Sequence, residues 1–288
     1  MGIRGVWTNL RKLFKQVDPL LIPPLHIGID MFSLVYTHRT NLKELLELLT
    51  RWSSVGHQIT CIWDGTAPKD KEEIIETRRN ARESALDKKS ELVEYLNQFG
   101  SELSENDLTN LNTAITSLSW QGWRLTGTLK REIQATLGPN VKHVYAPGEA
   151  DDLLISMAHD NIIQVILTLD SDLLAMGGEH IWRLLRIRDK WIIEDIWVEN
   201  VCDALGISLS ILQDACFLAG WDRCHLTGDT YMSFDSAISR MKYYGSVQLV
   251  LKKFVIDQEV NQDSLMRLKQ IKKESRERWV QIINNRVK

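Results

Sequence analysis

The sequence predicts an α/β fold in which helices flank a mostly parallel central sheet. Short apolar segments of strand character alternate with helical patterns in the first 195 residues, as in folds built from strand–helix–strand units. Residues 165–169 form a continuous apolar run rich in β-branched residues, which indicates a strand covered on both faces. From Asp195 onward the pattern is helical to the end of the sequence.

The first half of the predicted sheet comes from two strands that each end on an acidic residue. Residues 25–30 form a short apolar segment ending on Asp30, and a helical spacing of apolar residues follows. Residues 58–65 predict a second strand that closes on Asp64 and a turn. A charged helix is then predicted from about 71 to 97.

The middle of the chain interrupts the sheet. Residues 100–138 are helical in pattern but poor in apolar residues, which indicates an inserted helical region and not a second core. The sheet resumes with strands at 141–145 and 165–169 and with a strand pair between 181 and 193. The remaining predicted helices lie at 196–205, 208–219, 234–243, 247–255 and 263–285.

Composition and charge limit the class of protein. With 44% hydrophobic residues in 288 and no apolar run of bilayer length, the chain is expected to be soluble and intracellular, without membrane contact. The four cysteines form no Cys-x-x-Cys pair, which predicts reduced thiols and no zinc site. The net charge is −3, yet residues 267–288 carry eight basic residues against two acidic ones. Such segregation fits either a polyanion-binding surface or a solvated helix.

Acidic residues follow the predicted strands. Three of them end strands and two pairs have i, i+2 spacing, namely Asp30, Asp64 and Asp170, and then Glu149 with Asp151 and Asp170 with Asp172. A single strand-terminal Asp is more often a helix N-cap or turn residue than a ligand. Because the carboxyl ends of parallel strands meet at one edge, this whole set is expected to converge. The set is either solvated or holds a hard divalent metal. We favour the metal, since unpaired buried carboxylates are costly.

These acids stand in an ordered series of motifs. The series is Met1-Gly-Ile-Arg-Gly-Val-Trp7, Ile27-Gly-Ile-Asp30 followed by Tyr36, Asp64-Gly-x-x-Pro followed by Lys71 and Arg78, Ala146-Pro-Gly-Glu149-Ala-Asp151, Thr168-Leu-Asp170-Ser-Asp172 and Leu218-Ala-Gly-Trp-Asp222. Over residues 1 to about 255 the sequence resembles the flap endonuclease/XPG family of structure-specific 5′ nucleases. That resemblance implies a PIN/5′-nuclease-like fold.

The resemblance also implies a two-metal active site. Two Mg²⁺ ions, which Mn²⁺ could replace, would be held by seven carboxylates, namely Asp30, Asp64, Glu149, Asp151, Asp170, Asp172 and Asp222. Lys71 and Arg78 would neutralise the scissile phosphate and act with Glu149 and Asp170 as catalytic residues. Contacts to DNA are implied for Gly2, Tyr36, Arg79, Lys130, Arg131, Arg240, Lys242, Lys252 and Lys253.

The family pattern implies a domain organisation with three departures. Residues 1–79 and 141–222 would form the nuclease domain, 80–140 a helical arch that admits a single-stranded 5′ end, and 223–288 a hairpin-like DNA-binding region with a basic C-terminal helix. The short segment between the first two acidic motifs predicts a reduced 3′-flap pocket. Only Gly228 remains of a Gly-x-Gly hairpin, which argues against the family's K⁺ site. No sliding-clamp peptide is found.

The implied activity is that of a Mg²⁺-dependent 5′ flap endonuclease or 5′→3′ exonuclease on branched or nicked DNA. It would serve replication, repair or recombination, in the nucleus or at another replication site such as a viral compartment. The alternatives are a Holliday-junction nuclease, an RNA-directed nuclease of the same fold and a catalytically silent nucleic-acid-binding scaffold. All seven carboxylates and both cations are present in the sequence, which argues against the silent form. The sequence predicts no oligomeric state.

Overall fold

The computed structural model describes residues 2–3, 5–66, 72–221, 232–254, 265–266 and 268–274. The chain forms two compact units, one of Met1–Gly65 with Thr136–Lys288 and one of Thr66–Ala135. The larger unit contains the sheet, and the smaller unit is helical wherever it has regular structure.

One sheet of seven strands is formed by the described residues. The strands are β1 (Lys15–Val17), β2 (His26–Asp30), β3 (Gln58–Trp63), β4 (Val141–Tyr145), β5 (Val165–Leu167), β6 (His180–Ile187) and β7 (Lys190–Trp197). Their order in the sheet is β1-β7-β6-β5-β2-β3-β4. All neighbouring pairs from β6 to β4 are parallel, whereas β7 runs antiparallel to both β6 and β1. The predicted α/β class and mostly parallel sheet are therefore confirmed.

Strand β1 was not predicted. It has only three residues, two of them the exposed Lys15 and Gln16, so it shows no apolar pattern. Its pairing comes from the antiparallel register with β7, in which Lys15 lies opposite Asp195 and Val17 opposite Ile193. The signal for this strand is therefore tertiary and absent from the local sequence.

Twelve α-helices have bounds within the described ranges, besides the helical residues 265–266 and 268–274. They are α1 (Val6–Leu10), α2 (Met31–Thr37), α3 (Leu42–Ser54), α4 (Glu72–Phe99), α5 (Glu105–Gln121), α6 (Gly127–Leu137), α7 (Ala150–His159), α8 (Asp172–Ala175), α9 (Val198–Leu205), α10 (Leu209–Leu218), α11 (Phe234–Tyr244) and α12 (Val247–Phe254). Short 3₁₀ turns occupy Arg11–Leu13, Pro19–Leu21, Arg39–Asn41 and Gly100–Glu102. The predicted helical insertion is present as α4, α5 and most of α6.

The core lies around the two central strands. Ile27 and Ile29 of β2 and the whole of β5 are fully buried, as their apolar sequences predict for strands with helices on both faces. Asp30 at the end of β2 is buried as well, whereas Asp170, after β5, is half-buried. The core thus fixes the strand ends that carry the candidate site.

The C-terminal part of the larger unit is helical where it is described. Residues 265–266 and 268–274 are helical, and the rest of the predicted 263–285 helix lies outside the described residues. Lys272 Nζ donates to both carboxylate oxygens of the buried Asp214 on α10, at 2.9 and 2.8 Å. No single described helix is long and apolar enough to cross a membrane, although the bent pair α9 and α10 meets the length and composition test jointly.

Candidate active site

Four parallel strands deliver acidic residues to one edge of the sheet. Asp30 is the last residue of β2 and Asp64 directly follows β3. The remaining acids of the described set follow β4 and β5, namely Glu149, Asp151, Asp170 and Asp172. Asp222 lies outside the described residues, next to the fully buried Trp221.

Asp30 has the most constrained carboxyl group at this edge. It is 6% exposed and caps α2, because its Oδ1 accepts a hydrogen bond from the Ser33 N–H at 3.1 Å. Its Oδ2 accepts a hydrogen bond from the Thr168 hydroxyl at 2.9 Å. The pKa of Asp30 is raised to about 7, mainly by burial and also by the negative charges of Asp64 and Asp170, against the lowering effect of the two hydrogen bonds. The N-cap role and proximity to other carboxylates therefore coexist in one residue.

The β5–α8 loop carries the next acidic pair. The Thr168 hydroxyl also accepts a hydrogen bond from the Asp170 N–H at 3.1 Å. The Asp172 N–H in turn donates to Asp170 Oδ1 at 3.1 Å, and Asp172 is only 2% exposed at the start of α8. A chain of hydrogen bonds thus links this loop to Asp30. The sequence did not predict this linking role for Thr168, although Thr168 begins the acidic motif of residues 168–172.

Asp64 joins β3 to the start of α7. Its Oδ1 accepts a hydrogen bond from the Ala150 N–H at 2.7 Å, so the helix is capped by Asp64 and not by the side chain of its own N-cap residue, Glu149. The Gly65 N–H donates to the Gly148 carbonyl at 2.8 Å. A Cβ at Gly65 would lie 1.9 Å from the Ala146 carbonyl oxygen, so only glycine allows this close approach.

Gly2 lies against the acidic loop. Its φ is +85°, and a Cβ there would lie 2.4 Å from both Asp170 Oδ1 and Ser171 Oγ. The next residue, Ile3, donates its N–H to Ser171 Oγ at 2.6 Å. The N-terminal segment is therefore packed directly onto a predicted metal-binding loop.

The described carboxylates form a charged cluster and not a complete ligand set. No three His, Cys, Asp or Glu side chains in the described ranges, which exclude Asp222, converge into a metal-binding group. Asp64 and Asp170 nevertheless lie close enough to Asp30 for their charges to act on its carboxyl group. All three also accept hydrogen bonds, which orient them at the edge. Oxygen donors of this kind suit a hard divalent cation.

Known structures share this fold. The structure of human GEN1 in complex with Holliday junction DNA matches with a TM-score of 0.58 and 14% identity, over 96% of this chain and 63% of that chain. The catalytic core of Rad2 in complex with DNA substrate matches with a TM-score of 0.56 and 18% identity, over 94% and 81%. Flap endonuclease-1 from Methanococcus jannaschii matches with a TM-score of 0.53 and 19% identity, over 83% and 77%. No curated protein sequence matches the chain.

The sequence itself also matches a family. The XPG I-region model matches residues 140–222, the stretch that carries Glu149, Asp151, Asp170 and Asp172 and ends at Asp222. This match and the shared fold support the resemblance to the XPG/flap endonuclease family. The resemblance drawn from the motifs is thus confirmed. At identities below 20%, the structural matches contribute the fold and no more.

Tyr36, which the resemblance implies as a base-stacking residue, is half-buried on α2. Its ring stacks on Phe32, with ring centroids 6.0 Å apart. Phe32 meets Trp63 edge-on at 6.3 Å, and Trp63 stacks with the 55% exposed Tyr145 at 6.4 Å. An aromatic row therefore runs beside the acidic edge. Sequence reasoning singled out only Tyr36 in it, because cross-strand ring contacts leave no local pattern.

The described basic residues that the resemblance implies as site residues lie on four helices. In the smaller unit, Arg78 and Arg79 are exposed on α4, and Arg79 forms surface ion pairs with Glu76 at 2.6 Å and Glu83 at 3.8 Å. Lys71 lies outside the described residues. The other implied DNA contacts are on α6, α11 and α12, namely Lys130 and Arg131, Arg240 and Lys242, and Lys252 and Lys253. Of these only Lys130 and Arg240 are half-buried, and Arg240 donates to Met232 Sδ at 3.3 Å.

Proposed function

We propose that this protein is a Mg²⁺-dependent structure-specific 5′ nuclease that hydrolyses DNA at single-strand/double-strand junctions. The observation that carries the proposal is the buried Asp30 carboxyl, whose pKa is raised by burial and by the charges of Asp64 and Asp170. Carboxylates gathered in this way destabilise an apo protein unless a cation offsets their repulsion. The cluster also lies at the strand ends where open α/β sheets hold their ligands.

The proposed metal ligands are the seven predicted carboxylates. A cation would favour the ionised form of Asp30 and so reverse the effect of its neighbours on its pKa. When bound, two Mg²⁺ ions would make a water molecule more acidic and offset charge on the attacking and leaving oxygens. Asp30 and Asp64 enter this role already oriented by Ser33, Thr168 and Ala150.

Basic side chains of the protein would contact the phosphates of the DNA. The role of Lys71 and Arg78 in neutralising the scissile phosphate rests on their spacing after Asp64, seven and fourteen residues. The exposed Lys242, Lys252 and Lys253 are suited to non-specific contacts with a DNA backbone. Such contacts make DNA binding weaken steeply with rising salt.

A panel of labelled substrates tests the proposal. The purified full chain would be incubated with a 5′ flap duplex, a nicked duplex, a four-way junction and an RNA flap, each with Mg²⁺ and with EDTA. Release of the DNA flap near the junction, only with Mg²⁺, is the expected result. Preference for the four-way junction or the RNA flap would move the assignment to those substrates. Binding without cleavage of any substrate would favour the scaffold.

Gly65→Ala is expected to lower flap cleavage by about 100-fold, because a displacement of about 1 Å at a reacting centre has an effect of that size. The added methyl would collide with the Ala146 carbonyl oxygen 1.9 Å away and push Asp64 from its place at the start of α7. The rate would be measured on the flap duplex with folding checked by circular dichroism. Gly148→Ala is the matched control, since nothing lies within 4 Å of its Cβ position. Equal rates for both variants would contradict the prediction.

A further inference from the structure

The backbone of Leu169, the residue before Asp170, is held by two side chains from outside the loop of residues 168–172. The Trp7 indole Nε1 donates a hydrogen bond to the Leu169 carbonyl oxygen at 2.9 Å. The Leu169 N–H donates to Ser33 Oγ at 3.2 Å. Both backbone groups of Leu169 are thus bonded to side chains of α1 and α2 and not to neighbouring strands. The position of this residue limits where the Asp170 carboxylate can point.

A buried ion cluster holds the Trp7 ring. The Arg183 guanidinium carbon lies 4.4 Å from the ring centroid, within the range of a cation–π contact. Arg183 donates to Glu194 Oε2 at 2.5 Å, and Arg11 Nε donates to Glu194 Oε1 at 3.2 Å. The side chains of Arg183 and Glu194 are 11% and 2% exposed, so the pair that supports the ring is shielded from solvent. Removal of Glu194 would leave the largely buried Arg183 charge without the carboxylate that it pairs with.

We propose that Trp7 is a positioning residue for the metal site. It sets the direction of the Asp170 and Asp172 carboxylates through the Leu169 carbonyl, and Arg183 keeps its indole in place. The inference rests on the proposed function, because it concerns the same carboxylates. It adds a residue from α1 to a site otherwise built from strand ends, and it gives the buried Arg183–Glu194 pair a role in the chemistry.

The alternative role of Trp7 is packing alone. Its ring meets Phe14 edge-on at 5.9 Å, and the helix that carries it buries Val6 and Leu10 in the core. The indole N–H separates the two roles, because it bonds the acidic loop and contributes nothing to ring packing. Trp7→Phe removes that donor and keeps an aromatic ring under Arg183.

Trp52→Phe is the matched control. Trp52 is a buried tryptophan on α3 whose ring meets Trp182 edge-on at 6.3 Å. Its Nε1 makes no hydrogen bond to any part of the chain that the structure describes. Both variants lose the same indole atoms, but only Trp7→Phe loses a bond to the acidic loop.

Direct Mn²⁺ binding to the metal-free full chain, followed by electron paramagnetic resonance, is the main measurement. The thermal stability of each variant and the Mg²⁺ dependence of its flap cleavage are measured as well.

Trp7→Phe is expected to weaken Mn²⁺ binding by about three- to tenfold, the effect of losing one hydrogen bond that orients a ligand. The Mg²⁺ concentration for half-maximal cleavage should rise by the same factor, with the rate at saturating Mg²⁺ close to that of the wild type. Trp52→Phe should bind Mn²⁺ like the wild type even where its thermal stability is equally lowered.

The outcomes separate the positioning role from the function itself. If Trp7→Phe loses thermal stability but binds Mn²⁺ like the wild type, Trp7 only packs and the inference is overturned. If the wild type binds Mn²⁺ yet cleaves nothing, the proposed function fails, while the ratio of Mn²⁺ affinities still decides the role of Trp7. If the wild type binds no Mn²⁺, both proposals are wrong.

Discussion

Asp170→Asn is expected to lower the rate of Mg²⁺-dependent flap cleavage on the order of 1,000-fold. The substitution keeps the size of the side chain, and the amide oxygen can still accept the hydrogen bond from the Asp172 N–H. What it removes is a negative charge that acts directly on Asp30 at the acidic edge. A two-metal site loses a ligand charge by this change, and stabilisation of charge in the transition state is usually the largest catalytic term. Single-turnover cleavage of a 5′-labelled flap duplex measures the effect.

Asp152→Asn is the control for this loss. Asp152 is an exposed acid in the first turn of α7, next to the predicted ligand Asp151, and it is not in the predicted ligand set. Its neutralisation is expected to leave the rate within about twofold of the wild type, because exposed charges contribute little. A large loss for Asp152→Asn with none for Asp170→Asn would place the site elsewhere.

Asp30→Asn is expected to stabilise the metal-free protein at pH 8 while it abolishes cleavage. The pKa of Asp30 rises from its ordinary 3.8 to about 7, so ionisation at pH 8 destabilises the fold. A shift of about three pKa units corresponds to about 4 kcal/mol. Each kcal/mol is worth about 2–4 °C in Tm for a domain of this size. An asparagine carries no charge, and it can still accept from the Ser33 N–H while its amide donates to the Thr168 hydroxyl.

The sign of the pH dependence follows from the raised pKa. Below about pH 4 both the folded and the unfolded chain hold the Asp30 proton, and the stabilising contribution is fully present. It is lost as the pH rises through about 7, where the folded protein also releases the proton. Thermal unfolding in EDTA from pH 5.5 to 8.5 should therefore show wild-type stability falling more steeply than that of Asp30→Asn.

Asp18→Asn is the control for the capping role of Asp30. Asp18 also caps a helical turn, since its Oδ1 accepts from the Leu20 N–H at 3.0 Å, but it is exposed. Its substitution is expected to change stability by less than about 0.5 kcal/mol. If Asp30→Asn is less stable than the wild type at pH 8, ionisation of Asp30 does not destabilise the folded protein. The carboxylate cluster then gives no argument for a cation.

The acidic edge could be predicted because its signal is local. Apolar runs before Asp30, Asp64 and Asp170 predict strands, and a parallel sheet then brings their ends together whatever the separation in sequence. The N-cap role that the sequence analysis gave as an alternative for a strand-terminal Asp is confirmed for Asp30 by its bond from the Ser33 N–H. The spacing of apolar residues and the local composition are sufficient to predict such features.

Contacts between distant segments could not be predicted. The cap that Asp64 gives to α7 joins residues 86 positions apart, and the Trp7 bond to Leu169 spans 162 positions. Strand β1 likewise depends on its partner and not on its own three residues. These contacts arise only after the sheet is assembled, so no window of local sequence contains them.

The central claim is that the acidic edge supports metal-dependent hydrolysis of DNA. The most direct measurement is cleavage of a 5′-labelled flap duplex by the purified wild-type chain in EDTA, in Mg²⁺ and in EDTA followed by excess Mg²⁺. The account predicts no product in EDTA and release of a flap-length fragment with Mg²⁺, restored when Mg²⁺ is returned. Cleavage that persists in EDTA, or a chain that binds the flap but stays inert with both Mg²⁺ and Mn²⁺, would contradict it.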